Sequence, residues 1–84
     1  MAMHVIEMGN NGFEPAHIDV QRGDTVWWVN KEKKPHSARS DDGRTFNTGE
    51  LNWRQSNYVV FDHAPGPIPY HDKFGPHKGT VVVK

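Results

Sequence analysis

Two histidines and one aspartate are the side chains of this sequence whose type and spacing suggest a reactive centre. Asp72 and His77 lie in the segment Tyr70–Val83, on either side of a Gly-Pro bend that leads into a β-branched strand. His36 follows Pro35 in a separate loop. Imidazole nitrogens and a carboxylate oxygen from two loops of a β framework can hold one metal ion. The sequence therefore predicts a mononuclear metal site formed by His36, Asp72 and His77.

The composition excludes several other kinds of chemistry. The 84-residue chain has no cysteine, which excludes disulfides, zinc-thiolate sites and thiol catalysis. Ten lysine and arginine residues balance ten aspartate and glutamate residues, so no global charge attracts the chain to nucleic acid. No apolar run approaches the roughly 18 residues of a membrane span, and the N-terminus lacks the layout of a signal peptide. We expect a single domain over residues 1–84 that is a monomer, with no nucleic-acid partner and no membrane span.

A charged loop and three tryptophans leave room for contact with a partner. The loop Lys31-Glu32-Lys33-Lys34-Pro35 is either a solvated rim or a docking patch for an acidic partner. Trp27, Trp28 and Trp53 are expected in the core or at sheet edges, although one exposed ring could contact a partner.

Short segments of β-forming residues, separated by Gly, Pro, Asn and Asp, dominate the chain. They predict six to eight strands in an all-β Greek-key β-sandwich or barrel. Thr25–Asn30 has the composition of a central strand, and Pro69 favours an edge position or a bulge. The side chains that we expect to face inward are those of Val5, Ile18, Val20, Val26, Trp28, Phe46, Tyr58, Val60, Tyr70, Val81 and Val83.

Several short motifs follow one another along nearly the whole chain. They are Phe13-Glu14-Pro15, Arg22-Gly23-Asp24-Thr25-Val26, Trp28-Val29-Asn30, Pro35-His36, Thr48-Gly49-Glu50-Leu51, Pro65-Gly66, Tyr70 and Lys78-Gly79-Thr80-Val81-Val82-Val83. In this order and spacing they resemble the cupredoxin family, which includes plastocyanin, amicyanin and azurin. The resemblance implies a cupredoxin-like sandwich related to electron-transfer proteins, with copper as the metal. It also implies a periplasmic or other extracytoplasmic location.

The resemblance also assigns positions to the metal ligands. In the family, a histidine after the third or fourth strand joins a cysteine, a histidine and usually a methionine from one C-terminal loop. His36 matches the first histidine, whereas Asp72 stands at the cysteine position. An azurin-like alignment keeps the spacing of the second histidine through Asp72-x4-His77 and deletes the methionine. A shorter, amicyanin-like alignment instead places Gly75 on that histidine and loses the ligand; we favour the azurin-like alignment.

A site without a thiolate changes the expected chemistry. Blue-copper centres depend on a copper-thiolate bond, so copper held by His36, Asp72 and His77 should be a weakly coloured type 2 centre. Zinc and iron(II) accept the same donors. The predicted function is therefore that of a small copper-binding protein without catalytic residues, whose partner is a redox or copper-delivery protein.

Two other functions stay open. The domain could be a metal-free β-sandwich that serves as an interaction module or scaffold. It could also be a mononuclear metal enzyme that acts on a small ligand at an open coordination position, with Glu50 and His71 as the only further acid or base groups nearby.

Overall fold

The computed structural model describes all 84 residues as eight β-strands joined by turns and loops, without a helix. The strands are β1 (Met3–Gly9), β2 (Gly12–Glu14), β3 (His17–Val20), β4 (Thr25–Asn30), β5 (Arg39–Ser40), β6 (Ser56–Val60), β7 (Gly66–His71) and β8 (Lys78–Val83). The predicted all-β fold is therefore confirmed. A helix suited to crossing a membrane is not found.

The strands form two sheets of four. One sheet has the order β2-β1-β4-β6, and the other has the order β3-β8-β7-β5. β1 runs parallel to β4, and β3 runs parallel to β8, whereas the remaining neighbours are antiparallel. Thr25–Asn30 is a central strand, as its composition predicts. The loops that follow β4 and β7 carry the three candidate metal ligands.

The core contains buried hydrophobic side chains from both sheets and from the loops. Trp28 lies at its centre, with its ring 5.1 Å from Phe46 and 5.4 Å from Tyr70. Burial raises the pKa of the Tyr70 phenol to about 12, and the nearby Trp28 indole only partly opposes that effect. The expected inward residues that are buried are Val20, Val26, Trp28, Phe46, Tyr70, Val81 and Val83, and Ile18 packs against them half-buried.

Three of the expected inward residues are exposed instead, namely Val5, Tyr58 and Val60. Because successive strand residues point to opposite faces, a phase error of one residue exchanges the two faces of a strand. β1 buries Ile6 and Met8, and β6 turns Val59 towards the core. Both strands carry apolar residues on both faces, so the hydrophobic pattern favoured the wrong face.

The outward-facing apolar residues form a cross-strand row. Val5 pairs with Trp27, and Trp27 pairs with Tyr58 in the next strand. The rings of Trp27 and Tyr58 are 4.8 Å apart. Aromatic and β-branched pairs of this kind stabilise a sheet from its solvent face.

Pro69 lies in β7, a strand that has a neighbour on each side. It pairs with Thr80 in β8, and its carbonyl accepts a hydrogen bond from Asp41 N on the other side at 2.9 Å. β5 itself pairs with β7 only at Tyr70 and His71, so the contact between Asp41 and Pro69 lies just beyond the end of that short strand. The expected edge position is therefore wrong, because β7 lies between β8 and β5, although β5 is too short to pair with its whole length.

Candidate metal centre

Asn30, the last residue of β4, fixes the loop that leads to His36. Its buried side chain donates from Nδ2 to the carbonyl of Lys34 at 2.7 Å and to that of Leu51 at 2.8 Å. Its Oδ1 accepts from the N–H of Glu32 at 2.8 Å. One amide therefore holds the loop after β4 against the segment that contains Leu51.

The backbone of His36 is fixed by that same segment. His36 N donates to Leu51 O at 2.9 Å, and Leu51 N donates back to His36 O at 2.7 Å. Two residues later, the N–H of Ala38 donates to Thr48 Oγ1 at 2.9 Å. This short bridge directs the His36 ring towards the end of β7.

Asp72 follows β7 directly, and its carboxylate is buried and multiply hydrogen-bonded. Oδ1 accepts from the backbone N–H of Ser37 at 3.0 Å and from that of Phe74 at 2.9 Å. Oδ2 makes a direct contact with His36 Nδ1. The structure therefore brings His36 and Asp72 together, as the sequence predicts.

Both ring nitrogens of His36 face carboxylates. Nδ1 contacts Asp72, and Nε2 lies 2.9 Å from Glu32 Oε1. Burial acts to lower the pKa of His36, which is only 6 % exposed, but the hydrogen bonds and charges of Asp72 and Glu32 outweigh it and raise the pKa. A protonated imidazole between two carboxylates is the arrangement that this geometry favours.

His77 lies in the turn between β7 and β8, close to two glycines. Its Nδ1 is 3.0 Å from the point where a Cβ on Gly12 would stand. Its Cδ2 lies 3.8 Å from the corresponding point on Gly75, and Asp72 Oδ2 lies 3.9 Å from that same point. Asp72 N also donates to His77 O at 3.0 Å, which closes the turn. The absence of a side chain at Gly75 leaves the region between His77 and Asp72 open.

The donors fit copper in type but do not form a ready-made cage. Two imidazoles and one carboxylate suit a type 2 Cu(II) site, and the chain has no thiolate for a blue-copper site. The structure contains no group of three His, Cys, Asp or Glu side chains arranged to hold an ion. The direct contact between His36 and Asp72 means that binding requires these two side chains to separate and the imidazole to lose its shared proton.

Glu32 contacts a candidate ligand in a way that the sequence does not reveal. Its neighbours in the sequence are the lysines of a charged loop, but it stands four residues before His36 and its carboxylate lies 2.9 Å from Nε2 of that residue. Of the two further acid or base candidates, His71 pairs with Asp41 through Nδ1 at 2.7 Å, and Glu50 lies in an exposed cleft beside Lys73.

Comparison with known proteins decides the family. A family profile described as a cupredoxin-like domain matches residues 2–83. The chain belongs to this family. The family that the sequence motifs predicted is therefore confirmed.

Two solved cupredoxins are similar to the chain over nearly its whole length. A purple cupredoxin from Nitrosopumilus maritimus has 26% sequence identity and a TM-score of 0.83, and the alignment covers 95% of this chain and 98% of that chain. A methionine mutant of amicyanin in its Cu(I) form has 28% identity and a TM-score of 0.86, covering 95% of this chain and 80% of that chain. The chain thus shares its fold with a purple cupredoxin and with an amicyanin that is described in a Cu(I) form.

Proposed function

We propose that this cupredoxin-like domain binds copper through His36, Asp72 and His77 in a site without a thiolate. The observation that carries the proposal is the placement of Asp72, which stands at the cysteine position of the family pattern. Its buried carboxylate is directed at Nδ1 of His36. In this proposal the carboxylate takes the place that a thiolate has in relatives with a blue-copper centre.

Each residue has a separate task in the proposed site. Glu32 orients the ring of His36 by accepting from Nε2, which leaves Nδ1 for the metal. The backbone N–H groups of Ser37 and Phe74 hold Asp72 by its other oxygen, Oδ1. His77 supplies the second imidazole from the same turn. Bound copper would supply a one-electron centre without the colour of a thiolate complex.

The family relationship supports copper over zinc or iron. The amicyanin relative is described in a Cu(I) form and is 28% identical to this chain. By extension, the proposed partner is a redox or copper-delivery protein, the proposed location is extracytoplasmic, and the proposed state is a monomer.

The test is metal analysis with electron paramagnetic resonance on protein loaded with Cu(II). We expect one equivalent of copper, a type 2 spectrum and no intense visible band. His36→Ala and His77→Ala should each weaken copper binding by at least about 100-fold. Loss of a metal ligand costs more affinity than loss of a residue that only hydrogen-bonds to a ligand. His17→Ala is the matched control, since that histidine is exposed and only pairs weakly with Asp19. Unchanged copper binding in both ligand variants would refute the site.

A metal-free domain is the second candidate, and one observation favours it. Both nitrogens of His36 already have carboxylate partners, and no group of three ligands is assembled. Under this alternative, His36 and Asp72 form a buried ion pair that joins two loops. Calorimetric titration that shows no uptake of copper at micromolar concentration would favour this alternative over the copper site.

A further inference from the structure

A cationic and aromatic surface lies beside the candidate metal centre. Lys33 Nζ is 4.7 Å from the centre of the Trp53 ring, and Arg54 Cζ is 4.3 Å from it. Trp53 is 44% exposed, and Lys33 and Arg54 are exposed as well. We call Lys33, Trp53 and Arg54 the Trp53 patch. The π face of the indole attracts both cations and so keeps two positive charges close together.

The positive charge of the Trp53 patch is not neutralised within the chain. None of the ion pairs in the structure includes Lys33, the adjacent Lys34 or Arg54. Glu32 is the only acid in the same loop, and its carboxylate is turned towards His36. A chain with a formal net charge of zero therefore has a locally cationic surface next to His36.

The two segments that carry the Trp53 patch are fixed to each other. Asn30 binds the carbonyls of Lys34 and Leu51 through its side chain, and its backbone carbonyl accepts from Arg54 N at 2.9 Å. Arg54 has a φ of 67°, a left-handed conformation that a residue other than glycine adopts at a cost. These contacts fix the backbone that carries the cations before any partner arrives, which lowers the entropy lost on binding.

We infer that the Trp53 patch binds the acidic surface of another protein. Carboxylates can pair with Lys33 and Arg54, while the exposed indole supplies apolar contact area. Tryptophan and arginine are the residues that most often dominate the binding energy of protein interfaces. Leu51 pairs with His36 in an isolated β-bridge and stands two residues before Trp53. A protein bound at the Trp53 patch therefore lies beside the candidate metal centre. The inference goes beyond the proposed copper site and does not require it.

The experiment is a titration of the metal-free, full-length chain, followed by the indole N–H resonance of Trp53 in NMR spectra. Trp53→Phe assigns that resonance. The probe is a ten-residue glutamate peptide, and a ten-residue lysine peptide and an oligo-dT strand serve as comparisons. We expect a saturable shift with the glutamate peptide only, and we expect the affinity to fall as salt rises from about 0.01 M to about 0.15 M.

Charge reversal locates the binding surface. Lys33→Glu/Arg54→Glu should weaken binding of the glutamate peptide by at least about 10-fold, since two attractive charges become repulsive. Lys33→Gln/Arg54→Gln should also weaken it and is the second variant if the reversal disturbs the fold. Arg22→Glu/Lys84→Glu, which changes the net charge equally on remote exposed pairs, should bind within about 3-fold of the parent.

Several results would overturn the inference. A Trp53 resonance that does not shift with the glutamate peptide would show that the surface does not bind carboxylates. Equal loss of binding in the remote control would show a general charge effect, and preference for oligo-dT would point to nucleic acid instead. Because the protein is free of metal throughout, these outcomes are independent of copper binding by His36, Asp72 and His77.

Discussion

At the scale of single residues, His36 determines what the candidate centre can do. Its Nδ1 contacts Asp72 and its Nε2 contacts Glu32, so the ring is oriented from both sides. That Asp72 lies near His36 could be predicted from the sequence, because the motif order places both residues on loops of the cupredoxin fold, but their direct contact without a metal could not. The contact with Glu32 could not, since a carboxylate among lysines gives no signal of the direction in which it points.

Replacement of Asp72 tests the ion pair through its pH dependence. The pKa of His36 is raised in the folded protein, so its contribution to stability is fully present below the unfolded pKa of about 6.5. That contribution is lost as the pH rises through the folded pKa. Asp72→Asn should therefore lower the free energy of unfolding by about 2–3 kcal/mol near pH 5, and by less near pH 9. Urea unfolding at both pH values measures the difference.

The exposed pair of His71 and Asp41 provides the control for this prediction. Asp41→Asn should change the free energy of unfolding by less than about 1 kcal/mol at either pH, because solvent screens an exposed pair. A cost of Asp72→Asn that stays constant or grows with pH would contradict the assigned charge state of His36.

At the scale of elements, the β7–β8 hairpin brings Asp72 and His77 to the same turn. Tyr70 pairs with Gly79 across this hairpin, and the phenol ring lies directly over the glycine. The sequence predicts both strands, and it also predicts that Tyr70 is buried. It could not predict the faces of β1 and β6, because each strand has apolar residues on both sides and only packing decides between them.

Gly79 should not tolerate a side chain. A Cβ at this position would stand 2.4 Å from Tyr70 Cζ, and the buried ring has no space to move away. Gly79→Ala should therefore lower the free energy of unfolding by about 3 kcal/mol. Gly9→Ala is the control, since nothing lies within 4 Å of its added Cβ and its cost should stay below about 1 kcal/mol. Thermal or urea unfolding of both variants measures the contrast, and equal stabilities would contradict the packing.

Asn30 should contribute strongly to stability, because its one side chain makes three hydrogen bonds around the loop of His36. Asn30→Ala removes the side-chain hydrogen bonds to the carbonyls of Lys34 and Leu51 and to the N–H of Glu32, although Leu51 O keeps the bond from His36 N. We expect a loss of about 2–4 kcal/mol in the free energy of unfolding, together with faster amide exchange at His36. Asn52→Ala, at an exposed position two residues before Arg54, should cost less than about 0.5 kcal/mol. Similar losses in the two variants would contradict this role.

At the scale of the whole molecule, the family and the fold could be predicted because many weak motifs agree in order and spacing. Turn residues and β-forming segments define the strands, and Pro35-His36 and Tyr70-x-Asp72 mark two loops of the site. The position of the His77 ring relative to Asp72 could not be predicted in the same way. Its position depends on the length of one turn and on the contact with Gly12 across the molecule.

Copper should stabilise the whole domain if it binds only the folded chain. At a free Cu(II) concentration of 100 times Kd, we expect about 2.7 kcal/mol of added stability, which raises Tm by about 11–22 °C for a domain of this size. His77→Ala should lose most of this increase, whereas His17→Ala should retain it. A Tm that rises equally in both variants would place the copper elsewhere.

The most direct measurement of the central claim uses Asp72→Cys loaded with Cu(II). If Asp72 stands where the family places its thiolate, this variant should gain an intense visible thiolate-to-copper band that the parent chain lacks. His36→Ala in the Asp72→Cys background should then lose the band. A variant that binds copper without that band would show that Asp72 does not lie at the metal, and the proposed site would be wrong.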